Sequence, residues 1–273
     1  MRLRRTTPGK GGYQRKGRGR GFTYHRADHV LEVGARLPAI RDRVAADLRG
    51  RGLGREKVLA AAVRLLDVGR FRIGGEAYAA GEAGTFGLAT LLREHVALPR
   101  GSVRFRYPAK GGIERSVDVA DADVRAVVKK LMERDCECEC ERECEREPDD
   151  GGLLAYRDGR RWVGVRSGDI NDYLRDIGRT EISAKDFRTW HGTVLAARLL
   201  AREPKVTGRA VPRVMREVSE FLRNTPAVAR ASYVDPRVVD LYGDGITIPG
   251  RAASDQALGE VAVLRLLADE SGR

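Results

Sequence analysis

The chain has no apolar run near the roughly 20 residues that span a bilayer, so no membrane segment is expected. Its amino terminus carries charge but lacks the apolar core of a secretory signal, which points to a soluble cytoplasmic protein. Cysteine is absent except for Cys136, Cys138, Cys140 and Cys144, all within nine residues. A disulfide framework would spread its cysteines along the chain, so none is expected. The Cys-x-Cys-x-Cys-x₃-Cys run also lacks the spaced pairs of a structural zinc site, and no metal is assigned to it. Acidic residues are missing from the first 26 positions, which hold seven arginines and two lysines.

What is present is positive charge. The 273 residues carry a net +12, and the sequence pI is near 9.9, which suits a polyanionic partner. Residues 133–150 pull the other way, with ten acids against three arginines. Because the arm and this tract nearly cancel, the rest of the chain is basic in its own right. Residues 1–29 are glycine-rich and arginine-rich with no periodic apolar face, and read as a disordered basic arm. Arg15, Lys16, Arg18 and Arg20 are its candidate phosphate contacts.

The remainder reads as α+β and mostly helical. It divides into residues 30–132, a low-complexity Cys/Glu insertion at 133–152, and residues 153–273. Helical spacing begins at Val30, and Pro38 is expected to end or kink it. Val58, Leu59, Ala62, Val63 and Leu66 mark an amphipathic helix from Arg55 to near Gly69. Residues 88–91 read as a short strand. Residues 103–107 and 113–119 alternate about Pro108-Ala109-Lys110-Gly111-Gly112, a hairpin with lysine in its turn. Asp121 caps a helix that runs to Met132.

After Gly151-Gly152, residues 153–156 and 162–165 suggest a second hairpin. Ser167 is expected to cap a helix containing Ile170, Tyr173 and Leu174. Ser183 and Asp186 open a long helix through Phe187, Trp190, Val194, Leu195 and Leu199, with Arg188 at the rim of its apolar stripe. Helices follow over 210–222, 235–242 and about 255–268. Between the first two, the run 226–233 ends at Tyr233. His191 is expected to be a local DNA or core contact, and His95 has no assigned partner.

Arg72, Lys110, Lys185-x-x-Arg188, Asn224 and Tyr233 occur in that order. They sit within Phe71-Arg72-Ile73-Gly74, Gly84-Thr85-Phe86-Gly87-Leu88-Ala89-Thr90-Leu91, Phe105-Arg106-Tyr107, Ala184-Lys185-Asp186-Phe187-Arg188-Thr189-Trp190, Asn224-Thr225-Pro226 and Ala231-Ser232-Tyr233. On these stretches the sequence resembles the type IB DNA topoisomerases, in their poxvirus-like bacterial branch. The likeness covers about residues 30–132 and 153–245. It implies the catalytic-domain fold that tyrosine recombinases and type IB topoisomerases share.

It further implies that Tyr233 attacks a phosphodiester of duplex DNA, leaving a 3′-phosphotyrosyl link and a free 5′-hydroxyl. Arg72 and Arg188 would stabilise the charge on the non-bridging oxygens, a role that suits planar guanidinium. Lys110 would protonate the leaving 5′-oxygen. Asn224 would donate from its amide where poxvirus members carry histidine, and Lys185 would be a supporting DNA contact. No ATP, metal or other cofactor is implied, and the expected protein is a monomer acting on the nucleoid to relax supercoils.

Two departures from the family accompany the likeness. The family's sheet-rich N-terminal clamp domain is expected to be missing, since the basic arm runs almost directly into Val30. The Cys/Glu tract replaces the ordinary linker after the hairpin helix. One alternative is a tyrosine recombinase, but those enzymes place histidine where this chain has Lys185. The other is a DNA-binding relic without efficient catalysis, and the intact set of site residues argues against it.

Overall fold

The computed structural model describes residues 13–18, 21–75, 79, 84–134 and 151–271, with side chains from His29 to Asp269. It divides into two compact units, one of Met1–Pro38 with Asp186–Arg273 and one of Ala39–Lys185. The described residues are mostly helical with small antiparallel sheets. No described helix is long and apolar enough to cross a membrane.

Helix α1 (Ala27–Leu48) contains Pro38 and continues through it, contrary to the break expected there. Pro38 lies on the exposed side, while Val33, Leu37, Ile40, Val44 and Leu48 are buried. Burial of that stripe outweighs one lost backbone bond, whose carbonyl can turn to water.

In the unit of residues 39–185, α2 (Arg55–Gly69) is the central element. Val58 to Val63, Leu65 and Leu66 are all buried, and its alanines let neighbours approach closely. Strands β3 (Val96–Ala97), β4 (Val103–Pro108) and β5 (Glu114–Val119) form an antiparallel sheet in that order. Val103, Phe105 and Tyr107 point inward and Arg104 and Arg106 outward, as the period-2 pattern predicts. Phe71 meets Phe105 edge-on at 5.0 Å and Tyr107 at 6.0 Å, which makes an aromatic core beneath the hairpin. Helix α3 (Ala122–Met132) starts as expected, with Asp121 accepting from the Val124 amide at 3.0 Å.

Strands β6 (Ala155–Asp158) and β7 (Arg161–Gly164) form the second hairpin. Helix α4 (Ser167–Gly178) begins differently from the expectation: Ser167 is its first residue. The cap is Arg166, whose amide donates to the Asp169 carboxylate at 2.8 Å. The Asp169 carboxylate thus satisfies the amide just ahead of the helix, which sets the start one residue earlier than expected. Residues 88–90 are a 3₁₀ turn rather than a strand. The Thr90 hydroxyl accepts from the Gly87 amide at 3.0 Å, closing the chain on itself.

The other unit contains strands β1 (Tyr13–Arg18) and β2 (Gly21–Arg26), paired antiparallel from Tyr13↔Arg26 to Arg18↔Gly21. The basic arm was expected to be disordered. Ladder hydrogen bonds do not need an apolar face, and their absence from the periodicity hid this pair. Six helices follow among the described residues, beginning with α5 (Ala184–Leu200), whose first two residues fall in the other unit, α6 (Ala210–Leu222), α7 (Pro226–Ser232), α8 (Pro236–Gly243) and α9 (Gly250–Ser254). The last is α10 (Gln256–Ser271). The Cys/Glu tract at 135–150, with all four cysteines, and Arg20 lie outside the described residues.

Candidate active site

The segment from Leu222 to Tyr233 is shaped by helix ends. Arg223 stops α6 in the left-handed conformation, with φ of 52°. The next amide, of Asn224, then reaches back to the Ser219 carbonyl at 2.8 Å. This closing turn satisfies the last carbonyls of α6 and leaves Asn224 half-buried just past the helix. Thr225 caps α7, accepting from the Val228 amide at 3.3 Å, and Pro226 takes the first helical position. Tyr233 ends α7: its amide donates to the Ala229 carbonyl at 3.0 Å, while its φ of −134° leaves helical geometry.

Helix α5 holds this segment in three places. Arg188, only 3 % exposed, donates from Nη2 to the Leu222 carbonyl at 2.6 Å. Its Cζ also lies 5.1 Å from the centroid of the Tyr233 ring. One guanidinium therefore grips both ends of the segment. A cation at the C-terminus of α6 also meets the negative end of the helix dipole. A desolvated stack of this kind contributes about 2 kcal/mol, and a hydrogen bond from a charged donor about 1.5–3 kcal/mol.

The second hold is Gly192, where an added Cβ would lie 2.4 Å from the Tyr233 carbonyl oxygen. Only glycine lets the α5 backbone come this close. The third is Thr193, whose buried hydroxyl accepts from the Asp235 amide at 3.0 Å. Asp235 in turn caps α8 through the Arg237 amide and pairs with the Arg237 guanidinium at 2.8 Å. Chain entering and leaving Tyr233 is thus fixed to rigid helices.

In the other unit, the Arg72 loop is held backbone to backbone. Arg70 ends α2 in the left-handed conformation, with φ of 53°. The Arg72 carbonyl accepts from the Leu88 amide at 2.8 Å, and the Ile73 carbonyl from the Ala89 amide at 2.7 Å. Gly74 takes a φ of 85°, and a Cβ on Gly87 would sit 2.4 Å from Gly74 Cα, so the two chain segments touch. The Phe86 amide then donates to the Pro108 carbonyl at 2.9 Å, at the end of β4. Two residues further on, Lys110 is exposed in the turn, which the Gly112 amide closes by donating to the Ala109 carbonyl at 2.9 Å. Half-buried Arg72 and the Lys110 turn therefore belong to one bonded frame.

The sequence-expected residues thus fall into two groups. Arg188 and Tyr233 are in direct contact, and Asn224 lies on the turn that Arg188 anchors. Arg72 and Lys110 share the frame of the other unit. Lys185 is exposed in the first turn of α5. Arg15, Lys16 and Arg18 are placed in β1.

His191 is buried. His95 accepts from the Leu92 amide through Nδ1 at 3.1 Å and packs edge-on against Phe86 at 4.5 Å. Burial holds its pKa below the usual histidine value, against a small upward pull from Glu94.

Sequence reading missed Gly192, Thr193 and Arg115. A glycine inside a long helix signals close backbone approach, so Gly192 could have been found. Arg115 occupies one position of an alternating strand, and nothing local distinguishes it.

One unit thus stacks a buried arginine on a tyrosine held at a helix end, and the other carries an arginine loop and a lysine turn on one bonded frame. Residues 23–240 match the family described as "Eukaryotic DNA topoisomerase I, catalytic core", and the chain belongs to that family. It is also similar to the DNA topoisomerase 1B of Acanthamoeba polyphaga mimivirus, at 21 % identity over 214 residues, covering 76 % of this chain and 61 % of that relative.

Proposed function

We propose that this protein is a type IB DNA topoisomerase of the poxvirus-like bacterial branch, with the fold shared by tyrosine recombinases and type IB enzymes. The observation that carries this reading is the buried Arg188 guanidinium, set between the Leu222 carbonyl at 2.6 Å and the Tyr233 ring at 5.1 Å. It places a permanent cation on a tyrosine whose backbone is fixed on both sides. The family match supports the reading, because its range of 23–240 takes in Arg72, Lys110, Arg188, Asn224 and Tyr233.

In the proposed reaction the Tyr233 oxygen forms a bond to phosphorus, and the bond from phosphorus to the 5′-oxygen breaks. The phenolic proton leaves to solvent, and Lys110 gives a proton to the departing 5′-oxygen. Arg72 and Arg188 stabilise the charge gathered on the non-bridging oxygens, and the Asn224 amide donates to one of them. Guanidinium has five donors and stays charged at any working pH, so this stabilisation does not depend on a metal. The phosphodiester energy is retained in the 3′-phosphotyrosyl bond, and return of the 5′-hydroxyl reseals the strand without ATP. Strand rotation between the two steps relaxes supercoils. Lys185 and the basic residues Arg15, Lys16, Arg18 and Arg20 support binding by neutralising phosphates.

The test is trapping of a covalent protein–DNA adduct under denaturing conditions, beside Tyr233→Phe. The parent should give an adduct with chelator present and ATP absent, and the variant none. An adduct that survives in Tyr233→Phe would remove the nucleophile assignment. Relaxation of an arbitrary plasmid by the monomer separates this activity from site-specific recombination.

A further inference from the structure

Arg115 lies on β5 directly opposite Tyr107 of β4. Its guanidinium leaves the strand and caps the end of α2, donating from Nη2 to the Gly69 carbonyl at 2.8 Å and the Arg70 carbonyl at 3.1 Å. It also lies over the Phe71 ring at 5.0 Å. The three residues it grips, Gly69, Arg70 and Phe71, immediately precede Arg72. The strand it comes from is the second strand of the hairpin whose turn carries Lys110. Arg115 is thus a side-chain strap between the two groups of this unit that the proposed chemistry uses.

We propose that Arg115 is a positioning residue for Arg72, fixing its loop and directing its guanidinium toward a DNA phosphate. The proposal rests on the topoisomerase reading above. Two physical effects support it. The first is geometric: one guanidinium nitrogen bonded to two successive carbonyls fixes the backbone that leads into Arg72, and the aromatic stack fixes the guanidinium plane.

The second effect is electrostatic. Burial lowers the Arg115 pKa, the Tyr107 hydroxyl beside it opposes this, and Arg72 and Arg70 lower it further. Arginine remains charged under this pressure, so Arg115 and Arg72 repel each other. Such repulsion would bias the Arg72 head away from Arg115. An arriving anion would relieve that repulsion. A neutral side chain of similar length would fill the same space without either effect.

The experiment compares the full-length protein with Arg115→Met and Arg115→Lys, each with and without Arg72→Ala. Single-turnover cleavage of a duplex is measured at saturating protein, with hydrogen exchange at the Leu88 and Ala89 amides, which bond the Arg72 and Ile73 carbonyls. Arg115→Met should slow cleavage about 10–100-fold, the scale of a misplaced reacting group, with little change in DNA affinity. Arg115→Lys keeps the charge without the planar stack on Phe71 and should recover part of the rate. In the Arg72→Ala background the Met change should cost about twofold or less, because residues that act through one another are not additive.

Exchange at Leu88 and Ala89 should rise in Arg115→Met while the slowest α2 amides keep their protection. An equal loss of rate in both Arg72 backgrounds overturns the proposal, as does unchanged exchange at Leu88 and Ala89. A parent protein that forms no adduct on any duplex removes the topoisomerase reading, and a change in exchange would then report only a structural strap.

Discussion

Replacing Gly192 by alanine tests whether the closeness of α5 to Tyr233 matters to the chemistry. The new Cβ would stand 2.4 Å from the Tyr233 carbonyl oxygen and 3.1 Å from Leu222 Cδ1, whereas ordinary contact begins at 3.4 Å. The Leu222 methyl can rotate aside. The Tyr233 carbonyl belongs to a backbone fixed by the Ala229 carbonyl before it and the Thr193 hydroxyl after it, so it must withdraw by about 1 Å. Overpacking of this kind costs about 1–3 kcal/mol, and the gain in helix propensity returns about 0.5–1 kcal/mol. A net loss of about 1–2 kcal/mol is expected, a drop of a few degrees in Tm.

The effect on rate should be larger than the effect on stability. A shift of about 1 Å in a reacting group lowers rate on the order of 10²-fold. The control is Gly168→Ala in α4, where an added Cβ meets nothing within 4 Å. That change should raise stability by about 0.5–1 kcal/mol and leave cleavage alone. Both variants are measured by thermal melting and by single-turnover adduct formation. Gly192→Ala cleaving within about twofold of the parent, with Tm unchanged, would refute the argument that the close approach sets Tyr233.

Two other outcomes follow from the same geometry. The chain leaves at Arg134 and returns at a closed neck: the Arg134 guanidinium donates to the Gly152 carbonyl and, at 2.7 Å, to the Leu153 carbonyl. The Leu153 amide donates to the Leu91 carbonyl at 2.6 Å. Replacing residues 135–150 by a short Gly/Ser link should therefore leave the midpoint of urea unfolding unchanged, or raise stability by up to about 1 kcal/mol through loop closure. It should also tighten DNA binding by removing acids; a collapse of stability would show that the neck does not fold by itself. Arg223→Gly should stabilise by about 0.5–1 kcal/mol, since glycine takes the left-handed conformation without strain. If Arg223 meets a phosphate, the salt slope of DNA binding should also fall by about 0.9; an unchanged slope would remove that contact.

Much of the local structure was legible. The helix expected over 210–222 is α6 as read, because its apolar residues recur at 3.6 and nothing interrupts them. The Lys110 hairpin was equally plain, since Val103, Phe105 and Tyr107 alternate with arginines. What escaped were features decided by partners distant in sequence. Pro38 survives inside α1 because a buried stripe supports the helix, and residues 88–90 turn because they are bonded to the Arg72 loop. The site residues were legible as a list through the motifs, but not how they are held. Arg188 bonding Leu222 and stacking on Tyr233 spans separations of 34 and 45 positions, which no local pattern reports.

One further regularity connects the fold to the proposed chemistry. Among the described residues, the non-glycine positions with positive φ are Arg70, Arg179 and Arg223, with φ of 53°, 51° and 52°. Each caps a helix, α2, α4 and α6, where glycine is the usual choice. Left-handed backbone costs an L-residue about 1–2 kcal/mol, and a cation at a helix C-terminus returns about 0.3–1 kcal/mol. The exchange does not favour arginine on stability alone. Two of the three stand beside candidate site residues: Arg70 two positions before Arg72, and Arg223 one before Asn224. Under the topoisomerase reading, positive charge beside those groups would meet a DNA phosphate, and that contact would offset the strain.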